Sequence, residues 1–207
     1  IRDRRSTFPR EMEGQPVGAY LLITLDSDSE DQLYTLLEQA AELVLDAGAM
    51  DVLVADSPAK MRDAWAARSA FLEVIMEETK LLDECDVVVP VTKIASYLEF
   101  VNKTGEECGL VIRSFGHAGD GNLHIYECSN DLTEEEFKKR VDKFFDLIYK
   151  EASAQGGLVS GEHGIGSGKI QYLVESIGET NMALMEGIKR VFDPKMILNP
   201  GKVCYRL

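Results

Sequence analysis

The three histidines of this 207-residue chain all fall in two glycine-rich stretches, and they are its clearest chemistry-bearing residues. His117 and His124 bound Gly116-His117-Ala118-Gly119-Asp120-Gly121-Asn122-Leu123-His124. His163 lies in Ser160-Gly161-Glu162-His163-Gly164-Ile165-Gly166. Neutral imidazole is a common metal ligand, and histidine titrates near physiological pH. Two imidazoles and one carboxylate form a three-ligand set with open positions, which suits catalytic Zn²⁺ and also Fe²⁺ or Mn²⁺. His117, His124 and Glu162 are therefore the candidate metal ligands, and the glycines are expected to let a ligand approach the backbone.

The elements around these stretches must bring them together. Leu110 to Phe115 and Leu123 to Cys128 read as two strands joined by the glycine-rich turn, so His117 and His124 converge at a hairpin mouth. Asp86 to Val89 reads as a short extended segment before a helix that reaches Asn102. Leu132 to Ala154 is a long amphipathic helix with acidic residues in its first turn. Further helical patterns cover Glu30 to Ala47, Lys60 to Lys80 and Lys169 to Phe192, the last broken near Gly178. Ala19 to Leu25 and Val52 to Ala55 have strand-type composition. The expected fold is α+β, an antiparallel or mixed sheet with flanking helices and split-βαβ (ferredoxin-like) character.

Composition narrows the function classes. Twenty-two Lys+Arg against 36 Asp+Glu give a net charge of -14, which argues against a nucleic-acid partner. No apolar run reaches the roughly 18–20 residues that span a bilayer. No export signal is visible, so the expected compartment is the cytoplasm and Cys85, Cys108, Cys128 and Cys204 are expected to be reduced thiols. The chain opens on Ile1 and a basic run, Arg2 to Arg5, so residues 1–16 read as a leader or linker and 17–207 as the domain, in a fragment of something longer. A phosphate loop would need glycine at His163 and Ser or Thr at Ile170, and no dinucleotide fingerprint is present.

The motifs HAGDGNLH and SGEHGIG, with the terminal LNPGK, resemble the C-terminal, substrate-side domain of FAD-linked oxidases in the vanillyl-alcohol oxidase superfamily. The resemblance runs from about Tyr20 to Val203, nearest the glycolate oxidase and D-lactate dehydrogenase type. It implies FAD held mainly by an N-terminal domain absent here, and a divalent metal on His117, His124 and Glu162. It also implies His163 as catalytic base, Arg68 as the substrate-carboxylate anchor and Asn199 near the flavin. The implied substrate is a small 2-hydroxy acid, and the implied electron acceptor is an electron-transferring flavoprotein or an iron–sulfur subunit. Glu84, Tyr126 and Leu72 replace a lysine, an asparagine and a threonine of the D-2-hydroxyglutarate enzymes, which argues for lactate or glycolate over a dicarboxylate. The residues alone also fit a metal-dependent hydrolase or a non-catalytic metal-binding domain. Trp65 is expected in the core and Lys169 in solvent.

Overall fold

The computed structural model describes residues 8, 9 and 11–204, so the basic run Arg2 to Arg5 lies outside the described residues. The chain divides into two compact units, Ile1–Val74 and Ile75–Leu207.

In the first unit, β1 (Glu11–Met12) and β2 (Gln15–Pro16) form a small antiparallel hairpin. Helix α1 (Glu30–Asp46) starts where the Ser29 side chain accepts the Gln32 N–H. Helix α2 (Pro58–Ser69) is capped by Ser57 and carries proline in its first turn. Ala19 to Leu25 and Val52 to Ala55 are not strands. Tyr20, Leu21, Leu22 and Ile23 are exposed, as are Leu53 and Val54, so β-type composition here meets no pairing edge among the described residues. Trp65 is 53% exposed, which corrects the expectation of a core residue. Helix α3 (Phe71–Glu78) carries the boundary between the units, so the pattern read as one helix over Lys60 to Lys80 is two helices parted at Ala70.

The second unit holds a three-stranded sheet of β3 (Leu81–Val88), β4 (Val111–His117) and β5 (Asn122–Ser129). The strand order is β3-β5-β4, with both pairings antiparallel. Strands β3 and β4 are therefore parallel to each other with β5 between them. Helix α4 (Ile94–Cys108) makes the crossover, which is the expected split βαβ unit. A short 3₁₀ turn, Val91–Lys93, leads into α4, and Gly109 ends it with φ 67°. Helix α5 (Glu134–Ala154) opens with a capping box between Thr133 and Glu136. Helix α6 (Ile170–Phe192) is interrupted at Gly178 (φ 75°, ψ 165°), as the sequence predicts.

Side chains alternate across the strands, so the sheet has two faces. Cys85, Val87, Leu123 and Ile125 join the core with Tyr97 and Val101 of α4 and Phe144 and Ile148 of α5. The buried Tyr97 hydroxyl donates to the Ile148 carbonyl at 2.9 Å and ties the two helices. The remaining alternate positions, Glu84, Asp86, Asn122, His124, Tyr126 and His117, carry the polar chemistry, with Phe115 among them on the same face. The four cysteines are free thiols and buried. No helix among the described residues is long and apolar enough to cross a membrane.

Candidate metal and proton-transfer site

The hairpin β4–β5 sets His117 opposite Asn122 and Phe115 opposite His124, so both imidazoles emerge on one face. The Ser160–Gly164 loop covers them. Residue 158 anchors that loop: Val88 and Leu158 exchange two backbone hydrogen bonds, 3.0 and 2.8 Å. The two separated motifs therefore meet. His124 Nε2 lies 2.8 Å from Glu162 Oε1, and His117 Nε2 lies 3.4 Å from the same oxygen. The three donor atoms lie within 4.8 Å of one another. His124 is buried, whereas His117 and Glu162 are about half exposed. A buried imidazole beside two donors open to solvent leaves room for a further group, and the chemistry of this N₂O set fits a divalent metal.

His163 turns the other way. Its Nδ1 is 3.0 Å from Glu84 Oε1, and its ring centroid is 4.6 Å from that of His124. Glu84 Oε1 also accepts the Tyr126 hydroxyl at 3.0 Å. His124 Nδ1 stands 3.5 Å from the same oxygen, within ion-pair range but without a hydrogen-bond partner. The neighbouring His124 imidazole lowers the Glu84 pKa against the opposing effect of burial, helped by Tyr126 and His163. Glu84 in turn raises the His124 pKa against burial, with Glu162 and Asp86 adding to it.

Asp86 shapes the loop, although neither histidine motif points to it as a site residue. It is fully buried, and one oxygen, Oδ2, accepts the Ser160 hydroxyl (2.7 Å) and the backbone N–H groups of Gly161 (3.0 Å), Glu162 (3.1 Å) and His163 (2.9 Å). The other, Oδ1, accepts the Asn122 amide at 2.6 Å. Burial opposes ionisation, but the Ser160 hydroxyl, the His163 N–H, Asn122 and Lys169 outweigh it and hold the carboxyl far below its usual value. Lys169 is correspondingly only 16% exposed, 3.9 Å from Asp86 Oδ2, rather than in solvent as expected. The signal that marks these residues is a period of two in β3, where Glu84 and Asp86 alternate with Cys85 and Val87 ahead of Pro90.

Two of the motif glycines, Gly161 and Gly121, are required by the protein's own packing. A Cβ on Gly161 would stand 2.0 Å from Asn122 Nδ2, and one on Gly121 would stand 1.9 Å from the Val89 carbonyl oxygen. Gly121 also needs φ 78°, which glycine supplies without strain.

The remaining expected site residues lie elsewhere in the chain. Arg68 occupies the last turn of α2, in the first unit. Asn199 is exposed in the C-terminal turn and adopts φ 45°.

Fold and site together define an α+β domain that presents a metal-type donor set and a separate imidazole on one sheet face. The family model for FAD linked oxidases, C-terminal domain, matches residues 5–203. The chain belongs to that family. It is 59% identical over 203 residues to a D-lactate dehydrogenase of Anaerostipes hadrus, covering 98% of this chain and 43% of the relative. A D-lactate dehydrogenase of Archaeoglobus fulgidus is 37% identical, covering 91% of this chain and 40% of the relative. The glycolate oxidase subunit GlcD of Bacillus subtilis is 31% identical, covering 92% and 40%. The chain thus spans about two fifths of the length of these curated relatives.

Proposed function

We propose that this chain, residues 17–207 above all, is the substrate-side domain of a flavin-dependent D-2-hydroxy acid dehydrogenase. The reaction is oxidation of D-lactate or glycolate to the 2-oxo acid, with loss of two electrons and two protons. The observation that carries this reading is the convergence of His117, His124 and Glu162 on one point, with His163 beside them and held by Glu84. The names of the relatives at 59%, 37% and 31% identity support the substrate class.

His117 and His124 through Nε2 and Glu162 through Oε1 would hold a divalent Zn, Mn or Fe ion. When bound, such an ion would lower the pKa of a substrate hydroxyl, and FAD would supply the hydride acceptor. His163 takes the hydroxyl proton on Nε2, because Nδ1 faces Glu84. General-base help of this kind is worth ~10²–10⁴-fold. Arg68 is the proposed anchor of the substrate carboxylate, for which a guanidinium fork is suited. Asn199 is the proposed residue on the flavin side. Glu84 places a negative charge beside the base, which disfavours a substrate with a second carboxylate. The wider reading includes a cytoplasmic protein that passes electrons to an electron-transferring flavoprotein or an iron–sulfur subunit.

The test is dye reduction by the full-length, flavin-loaded protein with D-lactate, glycolate and D-2-hydroxyglutarate. Turnover of the two smaller acids, lowered at least ~10²-fold by His163→Ala, is the expected result. Turnover of D-lactate that survives both His163→Ala and chelation would overturn it.

A further inference from the structure

We infer that Glu84 is a positioning residue shared by His163 and His124, fixing the orientation of both imidazoles through one carboxylate oxygen. This rests on the functional reading above and deepens it.

The argument begins in the strand pairing. Glu84 lies directly opposite Tyr126, and Asp86 directly opposite His124, so the Glu84 side chain stands one row from the His124 ring on the same face. Three groups surround its Oε1: the Tyr126 hydroxyl, which donates to it at 3.0 Å, His163 Nδ1 at 3.0 Å, and His124 Nδ1 in ion-pair range at 3.5 Å. The Tyr126 hydroxyl pins the carboxylate from the strand. Phe115 backs this arrangement, stacked on Tyr126 at 5.1 Å and tilted against His124 at 5.7 Å.

Each imidazole presents Nδ1 to Glu84, so each has its Nε2 directed to other work. For His124 that atom already faces Glu162. An imidazole whose Nδ1–H meets a carboxylate has one tautomer and one ring orientation, and partners of this kind are typically worth ~10–100-fold in metal affinity or activity. His124 Nδ1 is buried and has no hydrogen-bond partner, so Glu84, 3.5 Å away, is the acceptor nearest to hand when His124 serves as a ligand through Nε2. One side chain thereby aligns a ligand and a base that sit on different segments of the chain.

The experiment uses the full-length, flavin-loaded protein and the variants Glu84→Gln, Glu84→Ala, Glu162→Gln and His163→Ala. Zn²⁺ affinity is measured by calorimetric titration of metal-stripped protein. kcat and KM for D-lactate are measured at saturating metal. The isosteric Glu84→Gln, with the far-UV circular dichroism of the parent, is expected to lower metal affinity and kcat by ~10–100-fold each and leave KM within about twofold. Parental kcat and metal affinity in both Glu84 variants would overturn the inference. So would a raised KM with kcat intact, which would make Glu84 a substrate contact. Failure of the functional reading looks different: Glu162→Gln and His163→Ala would then also retain parental metal affinity and turnover.

Discussion

The Asp86 carboxylate holds His163 by its backbone N–H rather than by its imidazole. The buried Asp86 Oδ2 accepts the His163 N–H at 2.9 Å, together with the N–H groups of the two residues before it and the Ser160 hydroxyl. A carboxylate accepting several backbone donors is a strong, directional anchor, since hydrogen bonds to a charged group contribute about 1.5–3 kcal/mol each. The proposed metal ligand Glu162 and the proposed base His163 are consecutive residues of this anchored loop, so a single buried charge sets the direction of both.

Asp86→Asn should therefore release the loop. The amide keeps one accepting oxygen and turns an NH₂ group toward donors, while Lys169 loses its counter-charge. The expected cost is roughly 2–4 kcal/mol of stability, from lost charge-assisted bonds and an uncompensated cation. Metal affinity should fall at least ~10-fold with it. Urea unfolding and metal titration check both numbers, and an unchanged urea midpoint would contradict the anchor.

Two glycines of the motifs should respond differently to alanine. At Gly161 the new methyl meets Asn122 Nδ2 at 2.0 Å and Val88 Cγ2 at 2.9 Å, so the loop must shift, at about 1–3 kcal/mol. At Gly119 nothing lies within 4 Å, and the effect should stay within about 0.5 kcal/mol. Thermal melts of Gly161→Ala and Gly119→Ala side by side decide the matter. Equal shifts would show that Asn122 does not confine the loop.

His117→Ala and His124→Ala should separate metal binding from stability. His117 is 51% exposed, so its loss costs affinity for metal and little else. His124 is 4% exposed beneath the loop, and its truncation also leaves a cavity, at roughly 2–3 kcal/mol. Melting curves and metal titrations of the two variants provide the comparison. Equal stability in both would place His124 outside the packed interior.

Glu127 gives a pH-dependent prediction away from the site. It is fully buried on the core face of β5, and neither carboxylate oxygen has a hydrogen-bond partner. Burial pushes its pKa well above the ordinary 4.5, and Asp83, directly opposite on β3, pushes it further. The folded state keeps a proton that the unfolded chain releases, so stability is full below about pH 4.5 and falls as pH rises toward the elevated folded value. Glu127→Gln removes this dependence. It should match the parent near pH 4 and exceed it at pH 8, read from urea midpoints across that range. A constant difference at all pH values would mean that the carboxyl is ionised in the fold.

Much of this arrangement is legible in the sequence where local rules decide. The strand–turn–strand around His117 and His124, the long amphipathic helix read over Leu132 to Ala154 and the break at Gly178 follow from alternation, helical spacing and glycine conformation. The convergence of Glu162 with the two histidines is signalled by motif chemistry. Glu84 escapes as a partner of the histidines because β3 begins at Leu81, before the Asp86 to Val89 segment that reads as extended, and Asp86 escapes because nothing local shows its carboxylate meeting the distant Ser160–Gly164 loop. Ala19 to Leu25 fails for the converse reason: residues suited to a sheet do not make one without a neighbouring edge.

The two-faced sheet makes the geometry of the candidate site a matter of parity. Every polar group that β5 contributes to the site, from Asn122 through His124 to Tyr126, occupies an even-numbered position, and Leu123 and Ile125 between them hold the helices. Deleting or inserting one residue in that strand would exchange the two sets at a stroke, driving imidazole into oil and leucine onto the polar face. Such a lesion would dismantle the candidate site and the core together, whereas substitutions that keep the strand's length leave the two sets in place.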